Sequence, residues 1–433
     1  MLESENLKSS IALLTKLSFL LTKTEINIDN KLQEVVEILA EALSVKRCSL
    51  VLFNELEKRF EIVAATGFNL SKEEMRKIDP VKQSKIIKYV IENRKPVVVR
   101  NEDDMKKFGI KPKDKYKIPS FISVPLIVTG GKLLGVLNLT DTISGEPFTD
   151  LEAQTILILS DQIAITIENT KLSEQILRNR LIKEQLKIAK RVQHSLIPSN
   201  FPNNSHIDCY GFTIPTFEVG GDYFDILKVN SNCYAFILAD VSGKGIPASL
   251  IMTSFRSYWR ALVKNIKKPK KIFESLNNIL VNDLEKEGLF LTCFYGIYNF
   301  EKNTLNYGNA GHEFPIFYCN EKEKFIKLEK NDLILGSFAD VKYTTYSKKI
   351  NNGDAIFIFS DGITDFSYYQ NIDAEKIIED IFLENKDKSM KTIISLIKKT
   401  LQNKFASKHH TDDLTLIGIR FKNDTKKKEG ENV

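Results

Sequence analysis

The chain has 433 residues, more than one ordinary hydrophobic core organises, so two domains and a connector are expected. Hydrophobic residues make up 42% and charged residues 27%, a globular balance, and 62 basic against 56 acidic residues leave a net charge of only +6. That weak excess, with no basic stripe interleaved with aromatics, argues against nucleic-acid binding; no apolar run reaches the ~20 residues of a membrane span; and the start Met1-Leu2-Glu3 lacks the basic region of a signal peptide.

Residues 8–22 and 30–44 read as amphipathic helices, the second with Leu32, Val35, Val36, Leu39, Ala40 and Leu43 on one face. The period then changes to that of strands at 47–53 and 60–65, joined by a charged turn over 54–59. A helix is expected at 84–93, a strand at 96–100, and a hairpin over 121–128 and 133–139 that turns at Gly130-Gly131. A long helix opens at Thr149-Asp150, where Thr149 is a suitable N-cap, and meets no breaker before Ile197-Pro198. Near its end Ile182, Leu186, Ala189, Gln193 and Leu196 follow 4-3-4-3 spacing, preferred here as the seam of a coiled-coil dimer over a helix packed on its own domain. Pro198 and the polar loop after it start a second domain, with strands expected at 208–214, 234–240, 292–299, 355–361 and 413–420 and a helix at 248–264. The tail 423–433, with Lys426 to Lys428, reads as a disordered, solvated terminus. The five cysteines (Cys48, Cys209, Cys233, Cys293, Cys319) form no C-x-x-C pair, which fits reduced, mostly buried thiols in the cytoplasm.

The second half carries acidic residues in four turns: Asp222 in Val219-Gly220-Gly221-Asp222-Tyr223-Phe224-Asp225, Asp240 in Asp240-Val241-Ser242-Gly243-Lys244-Gly245, Asp361 in Ser360-Asp361-Gly362, and Asp412 beside Asp413 before Leu414. Asp is short and held stiffly at a strand end, and the glycines let the backbone turn closely around it. Carboxylates gathered this way, with no Cys or His ligand set, suit two hard divalent cations such as Mn²⁺ or Mg²⁺. A cyclic-nucleotide hydrolase would need a His-rich set, which five scattered histidines do not supply.

Residues 25–170 resemble a GAF domain, in element order and in the phrases Ser123-Val124-Pro125-Leu126-Ile127 and Gly135-Val136-Leu137-Asn138-Leu139. Residues 200–422 resemble the SpoIIE-type branch of the PPM serine/threonine phosphatases, on the four acidic phrases together with Asn309-Ala310-Gly311-His312. The fold class implied is α+β: a GAF-like sensor domain (1–170), a helical linker (171–198) and an αββα sandwich phosphatase domain (199–422). The resemblance assigns Asp222 and Asp240 to hold and bridge two metals, the Val241 carbonyl to assist, and Asp361 and Asp412 to complete one ion; Asp413 aligns beside the ligand, and the two are not separated here. It implies in-line hydrolysis of phosphoserine or phosphothreonine by a metal-activated water, without a phosphoenzyme. It further implies a phosphorylated anti-anti-sigma (STAS) protein as substrate, a small-molecule or protein signal at the GAF domain, and a homodimer through the linker. The place where many PPM enzymes carry a His as general acid is Ser242. His312 is an alternative acid or a turn residue, His409 and His410 are expected to be exposed, and Lys244 is either a phosphate contact or a solvated loop residue. The rival reading is a non-catalytic scaffold that docks a partner-switching protein.

Overall fold

A computed structural model describes residues 28–69, 71–108, 120–284, 288–370, 373–405 and 412–422. The helix expected at 8–22, the histidines at 409 and 410 and the tail lie outside these residues. The chain divides into two compact units, 1–181 and 182–433.

In the first unit, helix α1 (Ile28–Ala42) leads into β1 (Val45–Asn54) and β2 (Arg59–Thr66). Three short helices follow, α2 (Lys72–Lys77), α3 (Pro80–Gln83) and α4 (Lys85–Asn93), then β3 (Val97–Val99), α5 (Glu102–Lys107), β4 (Phe121–Ile127) and β5 (Leu133–Thr142). The strands form one antiparallel sheet in the order β2-β1-β5-β4-β3. Alternation along β1 sends Leu50 and Leu52 to a core shared with α1, while Val51 packs with Val90 of α4 and Met105 of α5 on the other face. Cys48 is a core residue whose thiol burial pushes up to about 12, as a structural cysteine should be. An open groove of about 530 Å³ at one end of the sheet is lined by Phe53, Phe60, Ile91 and Leu133 with four charged side chains.

Helix α6 (Asp150–Leu196) is unbroken for 47 residues. Thr149 and Glu152 form a reciprocal capping box at its start: Glu152 N–H donates to Thr149 Oγ1 and Thr149 N–H to Glu152 Oε2. Its first turns bury Ile156, Leu159, Ile163 and Ile167 in the first unit's core.

The second unit is a four-layer sandwich. One sheet runs β13-β10-β9-β8-β7 and the other β12-β11-β14-β15-β6. The strands are β6 (Ile207–Ile214), β7 (Tyr223–Lys228), β8 (Cys233–Val241), β9 (Leu291–Asn299), β10 (Thr304–Ala310), β11 (Ile316–Cys319), β12 (Lys324–Lys327), β13 (Tyr346–Lys349), β14 (Ala355–Phe359) and β15 (Leu414–Phe421). Along β8, Phe236 and Leu238 face the opposite sheet, while Ala235, Ile237 and Ala239 face α7 (Ile246–Leu262) and α8 (Pro269–Leu284). On β14, Ile356 and Ile358 meet them from across the sandwich; Phe357 and Phe359 face α10 (Ala374–Glu384) and α11 (Met390–Phe405). A strand covered on both faces reads as a continuous apolar run, which is why β8 and β14 stand out in the sequence. Asp225 of β7 ties α7 to the sheet: it is buried, and it accepts from Tyr223 Oη at 2.6 Å and from Arg260 Nε at 2.7 Å.

No helix among the described residues is long and apolar enough to cross a membrane.

Candidate active site

Each sheet of the sandwich brings two acidic turns to its end. Asp222 is the residue before β7, and Asp240 is the penultimate residue of the neighbouring β8. In the other sheet Asp361 opens helix α9 (Asp361–Gln370) just beyond β14, and Asp412 and Asp413 directly precede the neighbouring β15. The four turns, up to 190 residues apart in sequence, meet as one electrostatic cluster. Burial, then Asp240 and Asp413, holds the Asp222 carboxyl well above the usual carboxylate range. Asp240 is pushed up to about 8 by burial and by Asp361 and Asp412. Asp361 rises to about 6 through burial, Asp412, Asp365 and Glu313. A cluster whose members resist ionising together is one that a multivalent cation stabilises.

Two buried oxygens, Asp222 Oδ1 and Asp361 Oδ1, have no hydrogen-bond partner. Unsatisfied buried carboxylate oxygens are costly, and hard cations take such ligands, so the donor set fits Mn²⁺ or Mg²⁺. Among the described residues no three acidic, His or Cys side chains yet form a closed cage. Asp222 is oriented from its other oxygen, which accepts from Thr415 Oγ1.

The two adjacent acids before β15 do different work. Asp413 spends both oxygens on backbone amides of the loop before β7: Oδ1 accepts from Thr216 N–H at 2.7 Å and Oδ2 from Gly221 N–H at 2.8 Å. Asp413 therefore shapes the loop that presents Asp222. A Cβ at Gly220 would stand 2.2 Å from Asp413 Oδ2, so only glycine admits this contact. A Cβ at Gly221 would come 3.0 Å from the Val241 carbonyl oxygen, which the turn leaves facing this loop. Asp412, by contrast, keeps an oxygen toward the cluster's edge, where Lys244 Nζ meets Oδ2 at 2.7 Å.

The acid candidates separate as well. Ser242 Oγ accepts from Phe290 N–H at 2.8 Å, which binds it into the structure beside β9. His312 is buried, with Nδ1 2.8 Å from Thr292 Oγ1, and burial pushes its pKa down to about 3. A ring that is neutral across the physiological range has no proton of an imidazolium to give. His312 instead closes the Asn309 turn, where its N–H donates to Asn309 Oδ1 at 2.8 Å and its carbonyl accepts from Asn309 Nδ2 at 2.9 Å.

Sequence reasoning missed Thr415, the loop-holding role of Asp413, and Gln193. The Gln193 amide clasps Gly220 in both directions: Nε2 donates to the Gly220 carbonyl at 2.8 Å, and Gly220 N–H donates to Oε1 at 3.1 Å. Arg256 of α7 adds a bond from Nε to the Leu196 carbonyl at 2.9 Å. Gln193 and Leu196 belong to the expected coiled-coil face, and with Leu186 they are only partly exposed. The face was legible, but its use within the same unit was not. Ile182 and Ala189 of that face are exposed, and a second exposed apolar row of α6 runs through Leu177, Leu181, Ile188 and Val192.

Comparison with known proteins finds matches in both parts of the chain. The family model described as Stage II sporulation protein E (SpoIIE) matches residues 230–422, and that of the GAF domain matches residues 27–167. The phosphoserine phosphatase RsbU of Bacillus subtilis is 29% identical over 245 residues, covering 56% of this chain and 71% of that protein. Protein IcfG of Synechocystis is 25% identical, and the phosphoserine phosphatase RsbP of Bacillus subtilis 22% identical. The matches span 42% and 58% of those two proteins. Among solved structures, the SiaA-PP2C domain of Pseudomonas aeruginosa is similar with a TM-score of 0.49 and 16% identity, over 56% of this chain and 98% of that one. The chain therefore carries a SpoIIE-type (PPM) phosphatase domain behind an N-terminal GAF domain.

Proposed function

We propose that the chain is a cytoplasmic, metal-dependent phosphatase that removes phosphate from a phosphoserine or phosphothreonine of a STAS-type anti-anti-sigma protein, under control of its GAF domain. The observation that carries this reading is the convergence of Asp222, Asp240, Asp361 and Asp412 at one end of the sandwich, with buried carboxylate oxygens lacking partners. Asp222, Asp240, Asp361 and Asp412, with the Val241 carbonyl, would hold two Mn²⁺ or Mg²⁺ ions, which supply an activated water and neutralise phosphoryl charge. Asp413, Thr415 and the glycines of the Gly220-Gly221 turn fix the first of these carboxylates, so its orientation is set before substrate arrives. His312 is buried and neutral and Ser242 Oγ is engaged by Phe290 N–H, so the leaving serine oxygen would take its proton from water.

The substrate class rests on the relatives: RsbU and RsbP are phosphoserine phosphatases. The domain order and the helix that continues from the GAF core into Gln193 support regulation through α6. The test is hydrolysis of p-nitrophenyl phosphate and of a phosphorylated STAS protein with Mn²⁺, for the wild type, Asp240→Asn and Asp361→Asn. Loss of at least about a hundredfold in both variants is expected for removal of a metal-site carboxylate. Equal rates in all three would establish the scaffold reading instead.

A further inference from the structure

Lys244 stands in the loop after β8, between Gly243 and Gly245, both in the left-handed region with φ of 91° and 70°. Its ammonium lies 2.7 Å from Asp412 Oδ2. The other oxygen of Asp412, Oδ1, already accepts from Asp413 N–H at 2.9 Å. The lysine therefore occupies the oxygen of Asp412 that is not bound to its own backbone. It brings one positive charge to a cluster in which Asp412 raises the pKa of both Asp240 and Asp361.

An ammonium and a divalent cation on one carboxylate oxygen would stand within a few ångströms of each other, and like charges at that separation repel strongly in a partly dry site. Glycines on both sides of Lys244, and a side chain that is 42% exposed, give the ammonium a short path to solvent. We propose that Lys244 is a built-in counter-ion of the metal site: it neutralises Asp412 before a cation loads, leaves that oxygen as the cation arrives, and so sets the affinity of the outer metal position. This rests on the metal-dependent reading above. It differs from a phosphate-binding role, in which the lysine would act on substrate and leave metal affinity unchanged.

The experiment titrates Mn²⁺ by calorimetry into the full chain stripped of metal, comparing the wild type with Lys244→Met and Lys244→Arg. Removing a partly exposed pair that competes with the metal should tighten the weaker Mn²⁺ site about two- to fivefold in Lys244→Met. Lys244→Arg, which keeps the charge, should stay close to the wild type. Without metal, Lys244→Met should melt below the wild type, and saturating Mn²⁺ should close that gap. Unchanged or weaker Mn²⁺ binding in Lys244→Met overturns the proposal while leaving the metal site standing. A wild type that takes up no Mn²⁺ overturns the metal-dependent reading itself, a separate and recognisable result.

Discussion

Asp240 shows what the cluster costs the protein. Its folded pKa of about 8 lies above the value of an unfolded aspartate, so between the two the folded state holds a proton that the unfolded state releases. Stability of the metal-free protein must then fall as pH rises from about 4 to about 8, and the penalty is complete above the folded pKa. Asparagine at this position removes the charge without removing the shape. Asp240→Asn, in chelator, should therefore melt above the wild type at pH 8, by about 2–4 °C for each kcal/mol of relieved repulsion. The difference should shrink towards pH 5. Calorimetric scans at both values check it, and a variant that melts below the wild type at pH 8 would show that Asp240 is stabilised by something other than a cation. The acidic turns were legible because four of them recur together; a single Asp beside glycine is an ordinary turn signal. The division of labour between Asp412 and Asp413 was not. It is decided by amide groups of Thr216 and Gly221, almost two hundred residues earlier, and no local pattern encodes that.

At the level of elements, the sequence showed best what is long and periodic. Helix α6 and the strands β8, β14 and β15 matched their expected spans closely, since each carries a strong apolar period. Helices α2, α3 and α5 were not anticipated. They span 6, 4 and 6 residues, too short for any periodicity, and only their caps at Ser71, Asp79 and Asn101 betray them. The end of α6 was assigned correctly as helix and incompletely as surface. Spacing alone cannot say whether Gln193 faces a second helix or a loop of its own unit, and the two hydrogen bonds to Gly220 answer for the loop. Those bonds join the linker helix to the turn that presents Asp222. Gln193→Ala should free that turn: about 1–2 kcal/mol of stability lost, faster amide exchange over 219–222, weaker Mn²⁺ binding and lower turnover. Unchanged exchange and unchanged turnover together would reduce Gln193 to a surface contact.

For the whole molecule, the question is what a continuous helix from the GAF core to the phosphatase does with its uncovered face. Leu177, Leu181, Ile188 and Val192 are each more than half exposed, and steps of 4, 7 and 4 residues place them within one narrow stripe of α6. Such a row is the pattern of a two-helix seam, displaced from the face that grips Gly220, although Leu172, Ile176 and Ile182 are exposed on other sides of the helix. Pairing with a second copy along this stripe is the expected route by which α6 would act on the turn that Gln193 holds. Replacing Leu181 and Ile188 together by Gln should leave both cores intact, because neither side chain is buried in them. The expected result is a monomer in sedimentation where the wild type is a dimer, with phosphatase activity that no longer depends on protein concentration. If the double variant sediments as the wild type does, the stripe is not the seam. If it is monomeric yet turns over like the wild type at every concentration, pairing occurs but does not govern catalysis, and the GAF domain must act on the phosphatase by another route.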